Sequence, residues 1–196
     1  TTEIYTLSLH DALPICWHHP GVMTGFGPAE IQARDRNDRN ATYTMADALF
    51  SACVLNSCLR HAQTVAMANI APLVNTRGPL FAHPGGIVKR TTFHVLSMYA
   101  NLLESRVAKT AISSDPLQRG GAAVPVVDAV ATCDATRKNW RLALVNRHPA
   151  ATTHCVVQLE GANAAGTCRA TILDGDAPDA YNDIDRPDRV APRKSS

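Results

Sequence analysis

Aromatic residues make up only 5% of the 196, the formal net charge is +2, and Lys and Arg are scattered along the chain. A nucleic-acid groove or an anionic membrane surface needs concentrated basic charge, so neither partner is expected. No apolar run approaches the roughly 20 residues of a membrane helix. The six cysteines include no C-x-x-C pair, and no histidine stands at zinc-finger spacing from them. Gly85-Gly86 lacks the G-x-x-x-x-G-K spacing of a phosphate loop. What is present is 45% hydrophobic residues, ordinary for a folded chain holding one domain or parts of two. Cys53 and Cys58 fall in an apolar helical stretch, Cys155 and Cys168 in strand-like stretches. They are expected as buried free thiols, which favours a reducing, cytoplasmic location.

The first sixteen residues, TTEIYTLSLHDALPIC, share no pattern with the rest of the chain. YTLSLHDALPI is similar to the translation of a sequencing adapter, so residues 1–16 are expected to be a non-native artefact and are excluded from the fold. Residues 17–40 read as a polar loop ending in the charged run RDRNDRN.

Organised pattern begins at Thr44. T-M-A-D is a capping box with Asp in the place of Glu. Met45, Ala48, Leu49, Ala52, Leu55 and Leu59 then recur on one helical face, predicting a helix to about residue 61. Residues 65–70 are apolar almost throughout, as a parallel strand covered on both faces requires. A loop with Gly78-Pro79 and His83-Pro84-Gly85-Gly86 precedes a second helix over 91–103, burying Val95, Met98, Tyr99 and Leu102. Helix, buried strand, long loop and helix form part of a β/α architecture.

After Ser105 the period becomes two. Residues 126–133, 139–145, 152–159 and 167–173 are predicted strands of an antiparallel meander with one wet side. Trp140, Leu142 and Leu144 share one face, with Arg141 on the other. DPLQRGGAA reads as the linker between the two regions, and the tail after Asp174 as a solvated connection without a further strand. DGDAPDAYNDID lacks the Gly and Glu positions of a calcium loop. Glu104 and Glu160 read as solvated carboxylates at element ends. The adjacent His18 and His19 have no third ligand at useful spacing, so no metal and no cofactor is expected.

The stretch TYTMADALFSACVLNSCLRHAQTVAMANIAPLVNTRGPLFAHPGGIVKRTTFHVLSMYANLL resembles the end of the catalytic barrel of family-51 α-L-arabinofuranosidases. LALVNRHP and DAPDAYNDIDRPDRV resemble that family's C-terminal β-domain. The resemblance implies the end of a (β/α)₈ barrel over 17–112 and a truncated antiparallel β-sandwich over 113–196, hence α/β plus all-β. It implies a retaining, exo-acting hydrolase that releases arabinofuranosyl units from oligosaccharides or polysaccharides through two glutamates. It also implies a homo-oligomer in the full-length protein.

The family's acid/base belongs to a G-N-E motif, which is absent here. Its nucleophile belongs to D-E-W-x-V-W, of which Trp17 resembles the last residue; counting back puts the nucleophile at Leu13. No catalytic residue is therefore expected in this chain. The family's barrel strand reads A-Q, with the glutamine bonding the arabinosyl unit, where this chain has Ala71-Pro72. Proline has neither a side-chain donor nor an N–H. Trp17, Pro72 and His83, the last in a loop after a barrel strand, are the candidate substrate-binding residues. A non-catalytic carbohydrate-binding or assembly β-module is the competing reading, weakened by the lack of exposed aromatics in the β-region. Another barrel glycosidase is the third.

Overall fold

The computed structural model describes residues 5–8, 40–70, 72–119, 121–160 and 168–195. The capping box forms as predicted. The Asp47 carboxylate accepts the Thr44 backbone N–H at 2.7 Å and its hydroxyl at 2.8 Å, and helix α1 runs Met45–Arg60. Met45, Ala48 and Ala52 are buried, with Leu49 and Leu55 packed beside them. The second helix, α2, covers Thr91–Leu102. Val95 is buried, Met98 and Tyr99 are half-buried, and Leu102 is exposed, so the predicted apolar face is covered only at its start.

Two of the predicted strands form nearly as read, and they carry the main sheet. β5 (Arg106–Ala108), β8 (Val127–Cys133) and β9 (Trp140–Asn146) lie antiparallel in the order β5-β8-β9. The expected dry face is reversed. Val145 pairs with Asp128 on the side that meets α1 and is buried, whereas Leu142 and Leu144 are 37% and 47% exposed. Hydrogen bonding decides the side: Asp128 must face α1 to reach Asn56 and Arg60. A period of two gives the alternation but not the choice of face.

Other expectations fail in the same region. The expected linker contains a hairpin, β6 (Pro116–Arg119) and β7 (Ala122–Pro125), turned beside Gly121 at φ 83°. Residues 152–159 form no strand, and Cys155 and Cys168 are exposed free thiols, not buried ones. Of 167–173 only β10 (Ala170–Ile172) is a strand, and it pairs with β11 (Arg193–Ser195), where no strand was expected. Among the described residues the architecture is mostly β with two α-helices and no closed barrel.

β2 (Val65–Asn69) is present, but it is largely uncovered, with Met67 53% exposed. A strand becomes doubly buried only when layers exist on both sides, and the described residues do not supply them. Its partner is β1 (Tyr5–Ser8), in parallel. This partner belongs to the adapter-like start of the chain. An open strand edge presents main-chain donors and acceptors that any extended segment can satisfy.

The largest correction concerns the tail, which is not a solvated connection. The first helical amides of α1, Met45 and Ala46, donate to the carbonyls of Ala180 (2.8 Å) and Pro178 (2.9 Å). Helix starts leave amides without intrahelical partners, and here the tail supplies the acceptors. Asn182, fully buried, donates to the Lys89 and Val190 carbonyls and accepts the Val190 N–H. Ala180 and Val190 join Met45, Ala48, Ala52, Val95 and Val145 in one core. That core draws on both sides of the expected boundary near residue 112.

Candidate functional site

Between β2 and α2 the chain makes a strap over residues 72–90, and this is where the site candidates gather. Its base is pinned by Arg90, whose side chain is fully buried. The guanidinium donates to Asn40 Oδ1 (2.8 Å), the Thr76 carbonyl (3.1 Å) and the Gly78 carbonyl (2.7 Å). It also lies 4.1 Å from the Tyr43 ring centroid and 5.3 Å from that of Phe81. A planar fork of five donors suits acceptors arriving from several directions, which a point-charge ammonium does not.

The strap stores strain where Arg90 holds it. Asn75 and Thr76 have φ of 57° and 51°, and for β-branched Thr this left-handed region is unfavourable. The Thr76 carbonyl accepts from Tyr43 Oη as well as from Arg90, and Asn75 Oδ1 accepts the Ala82 N–H at 2.7 Å. Gly78 passes so close to Leu73 that a Cβ would stand 2.5 Å from its carbonyl carbon, so the glycine there answers to close approach. Thr91 Oγ1 donates to the Thr44 and Tyr43 carbonyls, joining the strap's end to the start of α1.

What was read as a loop at His83-Pro84-Gly85-Gly86 is the tip of a hairpin, β3 (Leu80–His83) and β4 (Gly86–Lys89). Pro84 and Gly85 make the two-residue turn, and Gly86 comes next at φ 145°, a conformation that L side chains rarely adopt. His83 sits half-buried at the tip, its ring stacked on Phe81 with centroids 5.9 Å apart. Pro72 is exposed at the strap's start. Trp17 lies outside the described residues, as do His18, His19 and Glu30. The structure thus puts Pro72 and His83 on one strap but records no contact between them.

No pair of free carboxylates accompanies the strap among the described residues. Glu104 is 3.7 Å from Arg141, and Glu160 is exposed. Three of the tail's aspartates, Asp174, Asp176 and Asp185, pair with arginines. Asp176 takes both its contacts from Arg189 Nη2 at 2.9 Å, and Asp174 is 2.7 Å from Arg193 Nη2. These hydrogen bonds hold both carboxyls below their ordinary range. No group of three metal-ligating side chains occurs among the described residues, and no helix there is long and apolar enough to cross a membrane. Arg90, Tyr43, Asn75 and Asn182 were not singled out from the sequence. Nothing in K-R-T-T distinguishes a buried arginine from a solvated one.

A second polar group ties α1 to the main sheet. Buried Asp128 on β8 accepts from Asn56 Nδ2 (3.1 Å) and Arg60 (2.8 Å), with Arg147 Nη2 3.4 Å away. Tyr99 on α2 donates to Asn56 Oδ1 at 2.7 Å, and burial pushes its phenol well above the usual range. Burial also raises the Cys53 thiol, against the opposing hydrogen bond from Arg147 Nε at 3.3 Å.

His94 on α2 is 7% exposed, and its Nε2 and the nearby Thr92 hydroxyl have no hydrogen-bond partner among the described residues. Burial lowers its pKa from 6.5, and Lys89 adds to this, with Asp188 opposing. The folded state therefore favours neutral imidazole, and the unfolded state binds the proton more readily. Stability is full above pH 6.5 and falls as the pH drops below it. Urea midpoints at pH 7.5 and 5.0 should differ less in His94→Leu than in the parent. An equal acid loss in the variant would assign it elsewhere.

Comparison with known proteins bears on what this arrangement belongs to. The family model for the α-L-arabinofuranosidase C-terminal domain matches residues 16–196. An intracellular exo-α-(1→5)-L-arabinofuranosidase of Bifidobacterium longum is 31% identical over 159 residues, covering 77% of this chain and 28% of that protein. A family-51 α-L-arabinofuranosidase structure from B. longum aligns with a TM-score of 0.68 at 29% identity, over 77% of this chain and 30% of that one. The family-51 arabinofuranosidase from Xanthomonas axonopodis pv. citri aligns with a TM-score of 0.70 at 25% identity, over 78% and 31%. The chain therefore spans under a third of the length of each of these relatives.

Proposed function

The chain belongs to the α-L-arabinofuranosidase C-terminal domain family, and from that premise we propose that it is the C-terminal part of a retaining, exo-acting α-L-arabinofuranosidase. The observation that carries the reading is the match over residues 16–196, which leaves out nearly all of the adapter-like start. The whole enzyme releases terminal arabinofuranosyl units from arabinose-containing oligosaccharides or polysaccharides. It acts without a cofactor, inside the cell like the exo-α-(1→5)-L-arabinofuranosidase of B. longum, as a homo-oligomer. The run from α1 through β2 to α2 is the end of a (β/α)₈ barrel over 17–112, and the sheets over 113–196 belong to a β-sandwich. The strap 72–90 is then the last loop at the barrel's active face, where such enzymes keep their chemistry.

The two glutamates of the mechanism lie outside this sequence. One carboxylic acid protonates the departing glycosidic oxygen while the other attacks the anomeric carbon, and water then releases arabinose with retained configuration. Trp17 closes the motif that carries the nucleophile. Pro72 and His83 border the substrate, Pro72 through ring contact alone. The test is an assay with an aryl α-L-arabinofuranoside. The 196-residue chain should show no turnover, since losing general acid catalysis alone is commonly worth about 10²–10⁴-fold. A version extended upstream with in-frame G-N-E and D-E-W-x-V-W motifs should hydrolyse it. Turnover by the short chain, or none by the extended one, would overturn the reading.

A further inference from the structure

We propose that the β3–β4 hairpin tip is a sugar contact beyond the arabinosyl pocket, in which His83 donates from Nε2 to a hydroxyl of the pentose chain that bears the arabinosyl group. The proposal rests on the arabinofuranosidase reading for the identity of the sugar, but its geometry stands independently.

A ladder of flat groups runs from the core to the tip. Tyr43 is buried, Arg90 lies against its ring and against Phe81, and Phe81 stacks on His83 with 13° between the ring planes. The imidazole is thereby fixed from below. It is also fixed in its hydrogen bonding. The Gly85 N–H donates to His83 Nδ1 at 3.2 Å, so in neutral imidazole the proton belongs on Nε2. Nε2 has no protein partner among the described residues and is left as a donor at a half-exposed tip. Gly85 makes room for this, since a Cβ there would stand 3.1 Å from the ring's Cε1. A flat ring face beside one oriented donor suits a sugar, which offers C–H faces and hydroxyl acceptors together.

Reach sets the tip apart from the arabinosyl unit. At about 3.3 Å per residue, the strand from Leu80 to His83 carries the tip roughly 10 Å from its base. That exceeds the width of one furanose ring. Pro72 is exposed and its neighbour Leu73 accepts the Leu80 N–H at 3.2 Å, so a ligand whose arabinosyl unit lies against Pro72 meets His83 with its next sugar.

Ring ¹⁵N–¹H correlation spectra of the 196-residue chain, recorded alone and with arabinotriose, xylotriose or cellotriose, test this. The expected result is an Nε2–H tautomer for His83, with its ring and the Gly85–Ile87 amides moving on addition of a pentose trisaccharide. His83→Ala should weaken the trisaccharide's Kd by roughly 2- to 13-fold, the worth of one neutral hydrogen bond. His83→Gln, which keeps a donor, should restore most of it. Gly85→Ala should weaken binding while leaving the donor present, because it turns the ring. An Nδ1–H tautomer, a response confined to other residues, or no response to any sugar would overturn the proposal and leave the turnover assay unaffected. A response to cellotriose alone would keep the sugar contact and sink the pentose assignment.

Discussion

Arg90→Ala is expected to lower the unfolding free energy by about 3–5 kcal/mol, the range for breaking a buried charged network. Three acceptors lose the arginine's N–H together, Asn40 Oδ1 and the Thr76 and Gly78 carbonyls, of which Thr76 keeps Tyr43 Oη. Each unsatisfied buried group costs about 1–3 kcal/mol, softened where water can enter the gap. The left-handed Thr76 also loses one of the two donors that hold its carbonyl, so relaxation of the strap recovers part of the loss. Lysine's one nitrogen cannot stand at both the Nε and the Nη1 positions, so Arg90→Lys should recover less than half. Urea denaturation of the three proteins gives the comparison. A loss under about 1 kcal/mol for Arg90→Ala would mean the arginine is not what secures the strap.

Asp128→Ala is expected to cost about 2–3 kcal/mol, less than Arg90 because the stranded groups can reach water. The side chains of Arg60 and Arg147 are 32% and 24% exposed, so only Asn56 is left with a fully buried unmet donor. The consequence for cooperativity is more informative than the midpoint. Asp128 on the main sheet holds α1 through Asn56 and Arg60, and Asn56 in turn holds Tyr99 of α2. Without the carboxylate, the fluorescence of Trp140 on β9, read in a Trp17→Phe background, and helical circular dichroism should report separate transitions. Coincident transitions and a loss below about 0.5 kcal/mol would show that the apolar core alone couples sheet and helices.

Local pattern made some of this legible. The capping box and the spacing from Met45 to Leu55 specify α1 because both are contained in one stretch of chain. β8 and β9 arise from alternation. What escaped depends on partners distant in sequence. The buried side of β9 was chosen by Asp128 reaching α1, not by the greasier alternation of Leu142 and Leu144. The tail looked solvated because its aspartates are numerous, yet Pro178 and Ala180 contribute carbonyls, which carry no side-chain signal. Residues 152–159 alternate as a strand should but find no partner among the described residues, and a strand is a property of two segments. His83 was picked out by its place after a strand, but Gly85-Gly86, which fixes its ring, was noted only for what it is not. Arg90 was passed over because its burial is created by Tyr43 and the strap closing round it.

The two carbonyls that complete the start of α1 have a temporal meaning as well. Pro178 and Ala180 leave the ribosome about 130 residues after Met45, roughly 7–26 s later at ordinary elongation rates. Throughout that interval the helix exists with its leading amides open, and Asn182 and Val190 have yet to close over the Lys89 carbonyl and the core. Helix α1 is thus finished by residues made more than 130 positions after its start. A nascent chain stopped before residue 178 carries an unfinished helix that chaperones and proteases can recognise. Emergence of residues 178–190 is then the step that completes the core.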